Sequence, residues 1–275
     1  MSKDTMVRAL TAFAGLVLFF LLVFSTKQVL NTAIIILILI MIYEFLRACK
    51  CKTILIVTAM IASLVMAQMV LTSNYRVLAV SIIAYISILG IEAILFHKDI
   101  SFADIAAVFF ATVYISVFTA YISRARRISN FGIYYMFLIF ACAWMSDTGG
   151  YFVGRIFGRR KLAPEISPKK TLAGSVGAVL SSSITCIIFG VLAQFISYAN
   201  PDYVLLFLIG VWGSCIAQCG DLLASIIKRE CGIKDFGNVM PGHGGLLDRF
   251  DSVIITAPFI YYTAMLLNML GMKIL

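Results

Sequence analysis

The feature that most constrains this chain is a series of long apolar runs along its whole length. We identify nine, over residues 7–24, 29–46, 53–71, 77–96, 102–122, 131–152, 172–196, 203–227 and 252–270. Each is long enough to cross a bilayer as a helix. Only 13% of the residues are charged, which is too few for a soluble domain of this size. Because open strands would leave backbone groups unpaired in lipid, the pattern predicts an all-α polytopic membrane bundle of about nine transmembrane helices.

The distribution of positive charge predicts the orientation of the bundle. With the N-terminus in the cytoplasm, most of the 22 Lys and Arg residues fall in cytoplasmic loops. The cluster Arg124, Arg126 and Arg127 falls outside, so that loop is either a tolerated exception or a sign that a span nearby is miscounted. The net charge is +9, and its distribution between loops matters more than its size. No nucleic-acid partner is predicted. The polar loops 154–171 and 228–251 both come out on the cytoplasmic face.

The two halves of the chain differ in where their polar residues lie. Residues 1–130 have short loops and few polar residues in their spans, so we interpret them as N-terminal scaffold helices. Residues 131–275 carry nearly all polar motifs and form the predicted catalytic half. The seven cysteines suggest no disulfide framework and no zinc set, and most are expected to be small core residues.

The segment 225–251, SIIKRECGIKDFGNVMPGHGGLLDRFD, interrupts this apolar pattern with dense charge. It holds one of the two histidines, His243, inside a glycine-rich turn between two apolar spans. A polar, glycine-bearing loop at the mouth of a membrane bundle is suited to chemistry on a charged headgroup.

The order of residues in this segment resembles the signature of the phosphatidate cytidylyltransferase family. The positions that carry the resemblance are Ser225, Lys228, Arg229, Lys234, Asp235, Pro241, His243, Gly244, Gly245, Asp248, Arg249 and Asp251. The resemblance implies an enzyme that joins CTP and phosphatidate to give CDP-diacylglycerol and pyrophosphate. It also implies a bacterial inner-membrane protein with its active site on the cytoplasmic side.

Two carboxylates stand near the two ends of the polar loop 228–251, which we call the signature loop. Asp221 lies within an apolar span, where an unpaired charge would cost on the order of 2.5–3.5 kcal/mol. Asp248 starts the next span, and Asp251 follows one turn later. Since the two spans are consecutive and antiparallel, we expect Asp221 and Asp248 at similar depth, where they can bind Mg²⁺. The site can hold one metal ion or two, and the second ion can be a monovalent cation. The alternative is a set of salt bridges with Lys228, Arg229 or Arg249.

Two further motifs are candidates for substrate binding. Asp147 stands in a glycine-bearing stretch near the end of its span, and either lines a ligand site or pairs with Arg155. The pentapeptide 167–171 opens the next helix, with Thr171 as a possible cap and two lysines at the helix N-terminus. The resemblance extends to this pentapeptide, and its candidate binding residues are Ser167, Lys169, Lys170 and Thr171; the alternative is a basic loop that only fixes topology.

The glycine-rich turn itself can aim backbone N–H groups at an anion. His243 can donate to a phosphate, protonate pyrophosphate or hold the loop. Glu44 and Glu92 are expected to snorkel or to pair with Arg47 or Lys98, with no chemical role.

The resulting hypothesis is a membrane nucleotidyltransferase with CTP, phosphatidate and the lipid bilayer as partners, as a monomer or a homodimer. Lys228, Arg229 and Arg249 would join the two lysines in neutralising phosphate oxygens. We expect a cavity open to the cytoplasm and to lipid, lined by Asp147, Lys169, Asp221, His243 and Asp248. The alternatives are a membrane CTP-dependent lipid kinase or headgroup transferase, and an ion-coupled transporter that uses Asp147 and Asp221.

Overall fold

The computed structural model describes residues 3–128, 131–242 and 244–275, and helices dominate them. The helices are α1 (Lys3–Val23), α2 (Lys27–Ala48), α3 (Thr53–Leu71), α4 (Tyr75–Leu95), α5 (Phe102–Ala125), α6 (Gly132–Phe140), α7 (Ser146–Phe157), α8 (Leu172–Ser197), α9 (Tyr203–Glu230) and α10 (Leu247–Met269). A π-helical turn, Ala141–Met145, joins α6 to α7 into one continuous helix. Within the described residues, eight helices are long and apolar enough to cross a membrane, which confirms the predicted all-α polytopic class.

The chain packs into two compact units. The first comprises Met1–Ser123 and Cys231–Phe250, and the second comprises Arg124–Glu230 and Asp251–Leu275. The sequence division at residue 130 concerned function, whereas these units are defined by packing. Packing places the loop between α9 and α10 with the first 123 residues.

In the second unit, α7 and α8 pack so closely that glycine is required at several contacts. A Cβ on Gly149 would lie 2.8 Å from the Gly177 carbonyl oxygen, and one on Gly174 would lie 2.7 Å from the Gly150 carbonyl oxygen. Small residues allow this approach, which matters in lipid because helix association there depends on van der Waals packing. Helix α9 also uses glycine, since a Cβ on Gly220 would lie 2.8 Å from the Asp251 carbonyl oxygen of α10.

Replacement of Gly177 with alanine tests this packing. The new Cβ would lie 2.4 Å from the Cβ of Val153, an atom that cannot rotate away, so we expect a destabilisation of about 1–3 kcal/mol. Gly90 in α4 is the matched control, because no atom lies within 4 Å of a Cβ there. Gly90→Ala should be neutral or stabilising by roughly 0.5–1 kcal/mol. Thermal unfolding in detergent measures both, and equal melting temperatures would contradict the tight α7–α8 contact.

A two-stranded antiparallel sheet joins α7 to α8. Strand β1 (Lys161–Ala163) pairs with β2 (Ser167–Thr171), so the basic pentapeptide is a strand that leads into the helix. The hydroxyl of Thr171 accepts a hydrogen bond from the Gly174 N–H at 3.1 Å, which confirms the predicted helix cap. The short sheet fixes the position of both lysines just before the N-terminus of α8.

Candidate functional site

The intramembrane carboxylate Asp221 is paired with a lysine of the basic strand. The ammonium group of Lys170, at the end of β2, forms a salt bridge with Asp221 of α9, and both side chains are mostly buried. Because α9 continues to Glu230, Asp221 lies about 14 Å from the helix end at 1.5 Å per residue. The pair explains how a carboxylate is tolerated at this depth. Sequence reasoning named both residues but not their pairing.

Three more charged side chains act on the same region of the second unit. Asp251, in the second turn of α10, is 7% exposed, and its carboxylate accepts a hydrogen bond from the Ser252 N–H at 2.7 Å. The charges of Asp221, Lys228 and Asp147 all interact electrostatically with it. With Lys170, which is paired with Asp221, three of the predicted carboxylates and two predicted lysines therefore form one electrostatic group.

A chain of hydroxyl and amide groups lies beside this charged group, and sequence reasoning missed it. Ser146 of α7 and Ser214 of α9 are 2.7 Å apart, Gln218 donates to Ser214 at 3.2 Å, and Ser175 of α8 donates to Gln218 at 2.6 Å. All four side chains belong to the second unit. The signal in the sequence was the position of Gln218, one turn before Asp221 in an apolar span.

The π-helical turn lies directly before Ser146 and Asp147. The hydroxyl of Ser181 in α8 donates to the Met145 carbonyl at the end of this turn, at 2.6 Å. Asp147 is exposed, and the guanidinium of Arg155 donates to the Tyr151 hydroxyl at 3.2 Å. Single π-turns within α-helices are frequent at functional sites.

In the first unit, the signature loop is a backbone-built turn closed by Asp248. Met240 donates to the Gly244 carbonyl at 3.0 Å, and Gly242 and Gly244 have φ of 76° and 84°, which favours glycine. One carboxylate oxygen of Asp248 accepts from the N–H groups of Phe236 at 2.8 Å and Gly245 at 3.0 Å. Asp248 therefore fixes the shape of the loop as well as carrying charge.

The expectation that Glu44 and Glu92 snorkel to the membrane surface is wrong. They are 4% and 8% exposed. The Glu44 carboxylate accepts from the N–H groups of Leu246 and Leu247, and Glu92 accepts from the Thr58 hydroxyl at 2.5 Å. Arg47, the expected partner of Glu44, donates to the Tyr43 hydroxyl at 3.0 Å. The sequence did contain a signal for these buried contacts, since each glutamate is an acidic residue within an apolar span.

The loop is also attached to the end of α2. The rings of Phe45 and Phe236 stack with centroids 5.7 Å apart, and the sulfur atoms of Cys49 and Cys231 lie 2.8 Å apart. Burial raises the pKa of the Cys49 thiol well above its usual range and that of Cys51 to about 11. Both thiols are therefore protonated at neutral pH. All seven cysteines are free, as the sequence predicted.

The remaining predicted residues fall in both units. In the second unit, Ser225 is buried, Ser167 is half-buried, Lys169 is exposed, and Arg229 donates to the Ile166 carbonyl at 3.4 Å. In the first unit, Lys234, Asp235 and Arg249 are exposed, and a Cβ on Gly244 would lie 3.5 Å from the Asp235 side chain. His243 lies outside the described residues.

The described residues include no group of three or more His, Cys, Asp or Glu side chains placed to hold a metal ion. Mg²⁺ does not require such a group, because it is commonly bound through one or two carboxylates and the phosphates of a substrate. Asp221 in the second unit and Asp248 in the first each offer carboxylate oxygens, the type of donor that Mg²⁺ prefers.

A cavity of about 810 Å³ in the second unit lies away from these residues. It is lined by the α8–α9 connection and the C-terminal segment, including Tyr198, Asp202 and Lys273, whereas Lys170 precedes the opposite end of α8. Helix α8 is about 39 Å long at 1.5 Å per residue. This cavity is therefore not the one predicted around Asp221, which stays a prediction.

Comparison with known proteins gives consistent matches. The model of the cytidylyltransferase family matches residues 6–267. A phosphatidate cytidylyltransferase of Bacillus subtilis is 32% identical over 267 residues, covering 94% of this chain and 97% of its own length. The enzyme of that name from Staphylococcus saprophyticus is 37% identical over 180 residues, 66% of each chain. The one from Synechocystis is 40% identical over 136 residues, 50% of this chain and 45% of its own length.

Proposed function

The chain belongs to the cytidylyltransferase family, and from this membership we propose that it acts as a phosphatidate cytidylyltransferase in phospholipid synthesis. CTP and phosphatidate are then its substrates, and CDP-diacylglycerol and pyrophosphate its products. The observation that supports this most directly is the group of Lys170, Asp221, Asp251 and Lys228 in the second unit. It brings a lysine of β2 to carboxylates within the apolar helices α9 and α10, where a lipid phosphate can be bound while its acyl chains stay in the bilayer.

In the proposed reaction, an oxygen of the phosphatidate phosphate attacks the α-phosphorus of CTP. A new P–O bond forms, the bond between the α-phosphorus and its bridging oxygen breaks, and pyrophosphate leaves with that electron pair. Such a transfer depends on positioning and charge neutralisation more than on covalent help from the protein. Five basic side chains neutralise the phosphate oxygens of the substrates: Lys169, Lys170, Lys228, Arg229 and Arg249. The backbone N–H of Gly244 is a further candidate donor, whereas the Gly245 N–H already donates to Asp248.

We propose that the enzyme is dependent on Mg²⁺, with Asp221 and Asp248 as its protein ligands. The bound ion would neutralise charge on the phosphates of CTP. The chain's own contribution is to keep both carboxylates oriented. Lys170 holds Asp221, and the Phe236 and Gly245 amides hold Asp248.

We further propose that the protein resides in the bacterial inner membrane with this site on the cytoplasmic side. The asymmetry of Lys and Arg between loops supports that orientation. The cluster Arg124, Arg126 and Arg127 is the exception to this asymmetry, and the contacts of Arg124 explain part of it. The Arg124 guanidinium donates to the Tyr261 hydroxyl at 2.6 Å and lies 5.3 Å from the Tyr261 ring centroid. Labelling of single cysteines in loops 154–171 and 228–251 from either side tests the orientation.

The decisive experiment is incubation of the purified protein with phosphatidate, Mg²⁺ and CTP labelled at either the α- or the γ-phosphorus, followed by lipid extraction. We expect α-label in the lipid and γ-label in pyrophosphate. γ-Label in the lipid with release of CDP would identify a lipid kinase instead.

Two further measurements use the same purified protein. Light scattering distinguishes a monomer from a homodimer. Replacement of Mg²⁺ by EDTA should abolish turnover.

The adjacent lysines of β2 are expected to differ in their effects. Lys170 is paired with Asp221, whereas Lys169 is exposed. Lys169→Ala should mainly raise the KM for CTP, by about 5- to 30-fold for the loss of one charged hydrogen bond. Lys170→Ala should lower kcat as well, because it also leaves Asp221 without its cation. Steady-state kinetics on both variants, with orientation checked by cysteine labelling, measure the difference; equal effects would contradict it.

A further inference from the structure

Glu44 of α2 is a buried carboxylate, far in sequence from the signature loop, that binds the point where the loop becomes helix α10. We propose that Glu44 is a positioning residue that holds the signature loop and Asp248 in their active arrangement. The inference rests on the proposed function, in which Asp248 serves the reaction. Nothing in the sequence pattern of the loop identifies this residue.

The contacts of Glu44 are all made with the backbone of the loop. Its two carboxylate oxygens accept separate hydrogen bonds, one from the Leu246 N–H at 3.0 Å and one from the Leu247 N–H at 2.8 Å. These donors stand at the start of α10, where helical N–H groups have no partner within the helix. A carboxylate there also compensates the positive end of the helix dipole. Glu44 thus caps α10 from a different helix.

Two glycines make room for this carboxylate. A Cβ on Gly237 would lie 2.3 Å from one Glu44 oxygen, and a Cβ on Gly245 would lie 2.8 Å from the other. Both glycines belong to the loop, and the φ of neither is in the region reserved for glycine. The space that Glu44 occupies therefore explains why both positions lack a side chain. For Gly245, this explanation does not depend on phosphate binding.

The Glu44 contacts and the Asp248 contacts share one short stretch of backbone. Gly245 donates to Asp248, the next two N–H groups donate to Glu44, and Asp248 follows at once in the chain. Loss of the Glu44 bonds would free Leu246 and Leu247, the two residues between the Gly245 donor and Asp248. Because α-helical N-caps and buried carboxylates restrict backbone motion, the expected consequence is a misplaced Asp248 rather than a weaker substrate contact.

The experiment compares Glu44→Gln with Glu92→Gln. A glutamine retains one acceptor oxygen but turns its NH₂ group toward the second N–H. We expect kcat to fall about 10- to 100-fold, the range for groups that orient functional side chains, with the KM for CTP little changed. Hydrogen exchange of the peptide containing Leu246 and Leu247 should accelerate at least about tenfold. Glu92→Gln makes the same change in a buried carboxylate whose partner is Thr58, and should leave exchange in that peptide unchanged.

A double-mutant cycle protects the test against simple misfolding. Gly237→Ala should lower kcat because its methyl group meets the Glu44 carboxylate. In the Glu44→Ala background the same substitution should add little, since the clash is gone. Additive effects, or a Glu44→Gln enzyme with wild-type kcat, would overturn the positioning role. If instead wild-type protein makes no CDP-diacylglycerol, the proposed function fails while the exchange result still reports on Glu44. A fully active Asp248→Asn enzyme would leave the proposed function standing but would overturn the positioning role, because Asp248 would then not serve the reaction.

Discussion

Replacement of Asp221 with asparagine should reduce turnover at least about a hundredfold, the scale for losing one group that stabilises transition-state charge. Asparagine is nearly the same size, so packing in α9 should be retained. The substitution removes both the proposed metal ligand and the partner of Lys170. CDP-diacylglycerol formation by the purified variant measures the effect. A cooperative thermal transition in detergent, at a lower melting temperature because Lys170 has lost its partner, would show that the fold is intact.

The Asp221 substitution has two informative companions. Activity above about a tenth of wild type in Asp221→Asn would count heavily against a metal-binding role, since catalytic groups that act together lose far more than this. Combining Asp221→Asn with Lys170→Met removes the whole ion pair, and replacing both partners by neutral groups commonly restores stability. Restored stability without restored turnover would separate the catalytic role of Asp221 from its ion pair.

Substitutions at Asp248 should separate charge from loop structure. Asp248→Asn keeps an oxygen that can accept from the Phe236 and Gly245 N–H groups, so the loop should persist while turnover falls at least about a hundredfold. Asp248→Ala removes the acceptor too, and exchange of those two amides should accelerate. Kinetics and hydrogen exchange on the two variants measure the difference.

An active Asp248→Asn enzyme would restrict Asp248 to fixing the loop. The double variant with Asp221→Asn provides a further check. If both residues serve one site, the loss in the double variant should be close to the loss in either single variant. If the fold-loss in turnover of the double variant equals the product of the two single-variant fold-losses, the two residues have independent roles.

The fold could be read from the sequence because bilayers impose strong rules. An apolar run in lipid must be helical, so the run 53–71 matches the helix Thr53–Leu71. Local backbone chemistry was equally readable at Thr171, where a hydroxyl after an extended segment caps the helix that follows.

Contacts between distant residues could not be read in this way. Nothing local indicates that Glu44 meets Leu246 and Leu247, or that Lys170 meets Asp221, since both pairings arise from helix packing. Short strands such as β1 carry too few residues for a pattern to show. The members of the charged group around Asp251 were each named from the sequence, whereas the pairing of Lys170 with Asp221 was not.

The π-helical turn Ala141–Met145 sets the rotational phase between two packing faces of one long helix. Before its end, Cys142 faces α9, where a Cβ on Gly213 would lie 2.5 Å from its sulfur; after it, Gly149 faces α8. One residue corresponds to a rotation of about 100° in an α-helix. A π-turn closes with i→i+5 hydrogen bonds and so holds one residue more than an α-helical turn. Deletion of one residue within the turn is therefore expected to be absorbed by a return to α-helix, whereas deletion after it would turn Gly149 away from α8. The length of the chain after this turn is thus more tightly constrained than the length within it.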